Sequence, residues 1–165
     1  MNKSTTDKAQ IIAQIIKLLE SNHQQAVNAA LQAYNTATDD ENIAENKYDT
    51  LGLEASYLAQ GQAQRVAQLV SDLEIYTNFT PLAFSTETPI SLGALITLID
   101  ENKQEKILFL GPTAGGLTFK TGDRDISLIT PSSPLAKNLI GKKTGDEVKM
   151  NIGHQHHAYE VSAVA

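Results

Sequence analysis

Five carboxylates fall within eleven residues of this chain, at Asp39, Asp40, Glu41, Glu45 and Asp49. Oxygen donors packed so closely repel one another, and a bound metal ion would relieve the repulsion. A capping role accounts for part of the cluster. Thr38-x-x-Glu41 has the form of a capping box, and acids in a first turn favour a helix through its macrodipole. That explains one cap and one or two acids, but not all five together. Two other constellations carry less chemistry. His154, His156 and His157 offer imidazoles that suit zinc, nickel or copper, but they follow Gly153 in what reads as a solvated hairpin with no further ligand in view. Gly111-Pro112-Thr113-Ala114-Gly115-Gly116 lacks the Gly-Lys-Ser/Thr that a phosphate loop needs, and it reads as a hairpin connection.

The acidic cluster sits between two long helical patterns. From Lys8 to Ala37 there is neither Gly nor Pro, and Ala, Gln, Leu and Ile are mostly good helix formers. Ile11, Ile15, Leu18, Asn22, Gln25 and Ala29 alternate steps of four and three, while Ile12, Leu19, Ala26 and Ala33 repeat every seventh residue, a coiled-coil seam that thins to alanine toward the acids. A second pattern runs from Asn46 to Tyr76 through Tyr48, Leu51, Ala55, Leu58, Gln62, Val66, Leu69 and Leu73. Each pattern, at roughly 1.5 Å per residue, makes a rod of about 45 Å. The two should pack antiparallel and carry the carboxylates at their tip. Gly52 and Gly61 interrupt the second helix and predict close helix packing there.

Thr80-Pro81 and Thr88-Pro89 end the helical region, and the apolar period then falls to about two. Ser91–Ile99, Lys106–Leu110, Leu117–Thr121, Ile126–Thr130, Glu147–Ile152 and Tyr159–Val164 read as strands of a mostly antiparallel sheet. One helix interrupts them. Ser133 is its N-cap, Pro134 its first residue, Leu135, Leu139 and Ile140 its apolar side, and Gly141 its terminator. The fold class is therefore α+β. An antiparallel coiled-coil hairpin with an acidic tip (1–78) precedes an antiparallel sheet domain with one short helix (79–165).

Composition narrows the functions. The net charge of −6 is concentrated in residues 1–80, where five Lys and Arg face ten Asp and Glu. Clamping a duplex needs a dense basic face, so any role at nucleic acid is indirect. The absence of cysteine excludes disulfides, thiolate catalysis and cysteine-ligated metals. No apolar run spans a membrane and Met1–Asp7 lacks the core of a secretory signal, which points to a cytoplasmic protein.

The stretch Ile129-Thr130-Pro131-Ser132-Ser133-Pro134-Leu135-Ala136-Lys137-Asn138-Leu139-Ile140-Gly141-Lys142-Lys143-Thr144-Gly145-Asp146-Glu147-Val148 closely resembles the C-terminal domain of the bacterial Gre (GreA/GreB) transcript-cleavage factors. In that family the segment belongs to an FKBP-like domain. The first half resembles the same family, with Glu45-Asn46 and Tyr48 matching the motif at the tip of its coiled coil and Glu41 or Asn42 where the leading acid falls. The resemblance implies a monomer that docks at the rim of the RNA polymerase secondary channel through Ser133, Pro134, Leu135, Lys142 and Lys143. Its coiled coil would then reach the active site, close to the 3′ end of the nascent RNA. Asp39, Asp40, Glu41 and Glu45 would act there in trans, with Glu41 and Glu45 sharing a magnesium ion with the polymerase. The protein alone would bind no cofactor and would not be an enzyme. It would stimulate the polymerase's own cleavage of backtracked transcripts. A channel binder that regulates or inhibits without cleavage is the alternative, because Asp39-Asp40-Glu41 replaces the family's usual Gly-Asp and shifts the spacing. Prolyl isomerase activity of the FKBP-like domain is a third reading, disfavoured by a chain with no Trp, four Phe and five Tyr.

Overall fold

The structure, a computed structural model, describes residues 3–38, 51–152 and 155–165. Helices α1 (Lys3–Thr38) and α2 (Leu51–Thr77) precede strands β1 (Leu95–Asp100), β2 (Glu105–Leu110), β3 (Thr118–Thr121) and β4 (Arg124–Ile129). Helix α3 (Pro134–Leu139) and strands β5 (Glu147–Ile152) and β6 (Gln155–Val164) complete the chain. The chain divides into two compact units, Ile16–Thr77 and the combination of Met1–Ile15 with Asn78–Ala165. The boundary falls inside α1, which gives its first turns to one unit and the remainder to the other.

In the helical unit, Leu19, Ala26 and Ala33 are buried along α1, and Ala55, Leu69 and Tyr76 along α2. Gln62 supplies the missing heptad position of α2 and is half-buried, so both helices carry a seven-residue repeat, the signature of a coiled-coil seam. A cleft of about 290 Å³ is lined by Ala29, Ala33 and Thr36 of α1 and by Ala55, Leu58 and Gln62 of α2. Late residues of α1 thus face early residues of α2, and the pair is antiparallel. Two sequence expectations are corrected here. Gln25 is exposed and Leu58 is 56% exposed, because a seam of alanines has no depth for long side chains. Gly61 is exposed with open space where a Cβ would stand, so close packing does not explain it. The Thr38 hydroxyl donates back to the Tyr34 carbonyl at 2.9 Å, and the remainder of the Thr38-x-x-Glu41 capping box lies outside the described residues.

The C-terminal unit is built on one six-stranded sheet in the order β3-β4-β2-β1-β6-β5. All neighbours are antiparallel except β2 and β4, which run parallel with Ile107 opposite Ile126 and Phe109 opposite Leu128. This corrects the hairpin reading of Gly111–Gly116. The loop crosses from β2 past β4 to β3, held by Gly111 N–H on the Ile129 carbonyl and Gly116 N–H on the Leu128 carbonyl, both at 2.9 Å. One sheet face carries Ile96, Leu98, Leu108, Leu110, Val148, Val161 and Val164, and Ile90, Ala136 and Leu139 close over it. Alternation places Leu95, Phe109, Ile126 and Leu128 on the opposite face, all buried. Ser91–Ala94 form a turn rather than the start of a strand, because Gly93 takes a positive φ of 89° that L-residues rarely adopt.

No helix among the described residues is long and apolar enough to cross a membrane.

Candidate functional site

Helix α3 is short, and its ends are fixed by local chemistry. Ser133 leaves β4 with extended backbone angles, and its hydroxyl accepts the Ala136 N–H at 3.2 Å. Pro134 follows at the first helical position, where its missing N–H costs nothing. At the other end Gly141 turns the chain with φ of 86° and donates to the Ile90 carbonyl at 2.9 Å, while Ile90 N–H bonds the Lys142 carbonyl at 2.7 Å. These bonds tie the exit of α3 to the segment before β1. Ala136 and Leu139 face the core and Leu135 packs against it in part. Ile140, expected on the apolar side, is 44% exposed because the helix has ended and the chain is already turning.

The docking residues expected from the sequence are brought to the two ends of this helix. Ser133 and Leu135 line a cleft of about 500 Å³ against the sheet. Its apolar surface includes Leu108, Leu128 and Ile129, and hydroxyls come from Thr118, Ser127 and Thr130. Lys106 is the cation of the lining. Pro134 is exposed beside it. Lys142 and Lys143 lie in the turn beyond α3, half-buried, with Lys143 N–H on the Asp146 carboxylate at 2.8 Å and its ammonium 3.8 Å from Glu87. That ion pair is exposed, with 87% of the Glu87 side chain open to solvent, and is worth little. Sequence reading missed Lys106, Ser127 and Thr130. The parallel pairing of β2 with β4 sets Lys106 and Ser127 on neighbouring strands, and no local motif signals such a pairing, whereas Thr130 is held beside Ser133 by a local turn in which the Ser133 N–H donates to its carbonyl at 2.9 Å.

The cleft has no aromatic residue in its lining, although a pocket built to hold proline is usually walled by aromatic rings. The prolyl isomerase reading therefore finds no support in this geometry.

The tip carboxylates Asp39, Asp40, Glu41 and Glu45 lie outside the described residues, as do Asn42, Tyr48 and Asp49. The described parts of α1 and α2 end and begin at Thr38 and Leu51 on either side of them. Among the described residues no group of three or more His, Cys, Asp or Glu could hold a metal ion. His157 pairs with Met150 across β5 and β6 and stacks on Tyr159 at 6.4 Å, which gives its ring a packing role.

A helical pair followed in the chain by a mixed sheet, with a Ser-capped helix framing a cleft, makes an α+β architecture. Residues 85–165 match the family described as transcription elongation factor GreA/GreB, C-terminal. Curated relatives agree in kind. The transcription elongation factor GreA of Beijerinckia indica is 29% identical over 147 residues, covering 89% of this chain and 88% of its own. The GreA of Acidiphilium cryptum is 28% identical over 136 residues, covering 82% and 81%. Among solved structures, GreA factor homolog 1 (Gfh1) of Thermus thermophilus is 20% identical and covers 94% of this chain and 93% of its own, at a TM-score of 0.40. The C-terminal half of the chain thus matches the GreA/GreB family, and most of its length is similar to transcription elongation factors GreA.

Proposed function

We propose that this protein docks its C-terminal unit at the rim of the RNA polymerase secondary channel, in the cytoplasm and as a monomer, and extends its acidic tip to the polymerase active site. The observation that carries the reading is the GreA/GreB match over residues 85–165, the part of the chain in which α3 frames a surface cleft with Ser133 and Leu135 in its lining. Pro134 and the Lys142-Lys143 turn extend that surface at either end of the helix.

At the tip the donor set of Asp39, Asp40, Glu41 and Glu45 consists of carboxylates alone, which fits magnesium, a hard ion that prefers one or two carboxylates with water. Bound there, the ion would supply charge stabilisation to hydrolysis of the backtracked transcript end. Glu41 and Glu45 would hold it jointly with the polymerase, while Asp39 and Asp40 add negative charge beside them. Tyr48 would support the tip. The protein acts on a reaction whose other residues belong to its partner, so it is a factor and not an enzyme.

A transcript-cleavage assay on stalled elongation complexes tests this. RNA should shorten with the parent chain and fail to shorten with the Glu41→Ala/Glu45→Ala variant. If the parent binds polymerase and no RNA shortens, the tip blocks the channel and the cleavage reading is wrong. The replacement of Gly-Asp by Asp39-Asp40-Glu41 is the feature that favours that second outcome.

A further inference from the structure

The cleft beside α3 differs from the rest of the molecule in its charge. The chain carries 19 Asp and Glu against 13 Lys and Arg, yet no carboxylate lines this cleft of about 500 Å³, and Lys106 is its single charged residue. Lys106 makes no hydrogen bond or ion pair with another described residue. Asp125, on the neighbouring strand, stands 3.9 Å from Lys120 instead. A solvated lysine is ordinary on a protein surface, so the groups set beside this one decide what it does.

The sheet register lines those groups up. Leu108, Ser127 and Thr118 stand opposite one another across β2, β4 and β3, and strand alternation puts Lys106 on the face of Leu108, two residues back along β2. The hydroxyls of Ser127 and Thr118 bond to no other described residue, which leaves both as donors to the cleft they line. Ile129 continues the apolar surface of the sheet, and Leu135 of α3 stands across from it. The loop Gly111–Gly116 walls the side. Its Gly115 lies so near Thr130 that an added Cβ would stand 3.1 Å from the Thr130 Cγ2 and Oγ1. Ala114 holds a φ of 58°, a left-handed conformation that costs a non-glycine residue energy and persists only where its surroundings impose it.

We propose that this cleft binds a small free monocarboxylate with an unbranched apolar chain. Lys106 takes the carboxylate, Ser127 and Thr118 donate to its oxygens, and the chain lies between Leu108 and Ile129 of the sheet and Leu135 of α3. The donor set selects the head group. An ammonium and two free hydroxyls match the single charge and several lone pairs of one carboxylate, whereas a phosphate dianion calls for a second cation or a guanidinium fork. The apolar wall is equally necessary, because an exposed ammonium alone holds an anion weakly in water. Burial of the chain supplies the larger part of the affinity, and Lys106 fixes which end of the ligand meets which end of the cleft. The site stands whether or not the same surface docks on polymerase.

Octanoate, octanol and acetate would be titrated separately into the isotopically labelled full-length chain, with backbone amide shifts followed at Gly115, Gly116, Ser127 and Thr130. Octanoate should move these amides to saturation. Octanol, which lacks the charge, and acetate, which lacks the chain, should each bind more weakly. Lys106→Met should weaken octanoate about fivefold or more and leave octanol unchanged, while Lys106→Arg, which keeps the charge, should retain octanoate. Absence of a saturable shift with octanoate would overturn the proposal. So would acetate binding as tightly as octanoate, which marks a general counter-ion, or Lys106→Met binding octanoate like the parent. If Lys106→Met does not fold, octanoate against octanol on the parent chain decides alone: equal affinity overturns the carboxylate site.

Discussion

The two units are stabilised by different means. In the C-terminal unit, Phe109, Ile96, Leu98, Leu108, Leu110 and Ile126 are fully buried, and each such side chain contributes about 1.5–3 kcal/mol of transfer free energy. In the outer part of the helical unit the buried positions are Ala26, Ala33 and Ala55, whose methyl groups each remove far less apolar surface from water. An open cleft of about 290 Å³ replaces the missing side chains. Good helix-forming sequence holds this part together where core packing does not. A thick core suits a surface that must present fixed contacts. A seam of small residues keeps a helical pair slender, at the cost of local stability, and low-stability regions open first.

Four substitutions would break or sharpen this contrast. Phe109→Ala removes a fully buried ring and should cost about 3–5 kcal/mol. In a chemical melt the sheet would then unfold before the helical unit, reversing the order expected for the parent; a small loss would mean that the sheet core is less tightly packed than its burial indicates. Ser133→Ala deletes the hydroxyl that accepts the Ala136 N–H and should lower stability by about 0.5–2 kcal/mol. Faster amide exchange at Leu135–Lys137 would locate the loss in α3. Gly61→Ala changes an exposed helical position with open space for the added methyl and should raise stability by up to about 1 kcal/mol. A loss on this substitution would restore the close-packing explanation, whereas a gain with weakened partner binding would give Gly61 a contact role. Lys143→Ala removes an exposed pair with Glu87 and should shift stability by less than about 1 kcal/mol, a value read from denaturant midpoints.

Much of this architecture was legible because it is local. The seven-residue spacing of Leu19, Ala26 and Ala33, the alternation of Glu147–Ile152, and the Ser133-Pro134 start of α3 are each written within a few residues, and they formed as expected, whereas the strand expected over Ser91–Ile99 begins only at Leu95. What escaped is long-range. The parallel partnership of β2 and β4 depends on residues about 20 apart in sequence packing both faces of the sheet, and it turned an expected hairpin at Gly111–Gly116 into a crossover. Lys8 read as the first residue of an ordinary amphipathic helix, since only the return of Leu82 and Phe84 buries it. Ser133, Pro134, Leu135, Lys142 and Lys143 were singled out through resemblance, but the cleft that Ser133 and Leu135 line was not legible. The tip acids, the most informative feature of the sequence, lie outside the described residues.

The central claim is a division of labour, in which the C-terminal surface binds polymerase and the tip acts on its chemistry. Direct binding to purified RNA polymerase tests it with two full-length variants, Lys142→Glu/Lys143→Glu and Glu41→Ala/Glu45→Ala, each first confirmed as folded. The account predicts that the lysine variant loses binding and that the tip variant binds like the parent. Loss of binding by the tip variant alone, with the lysine variant still bound, would contradict it.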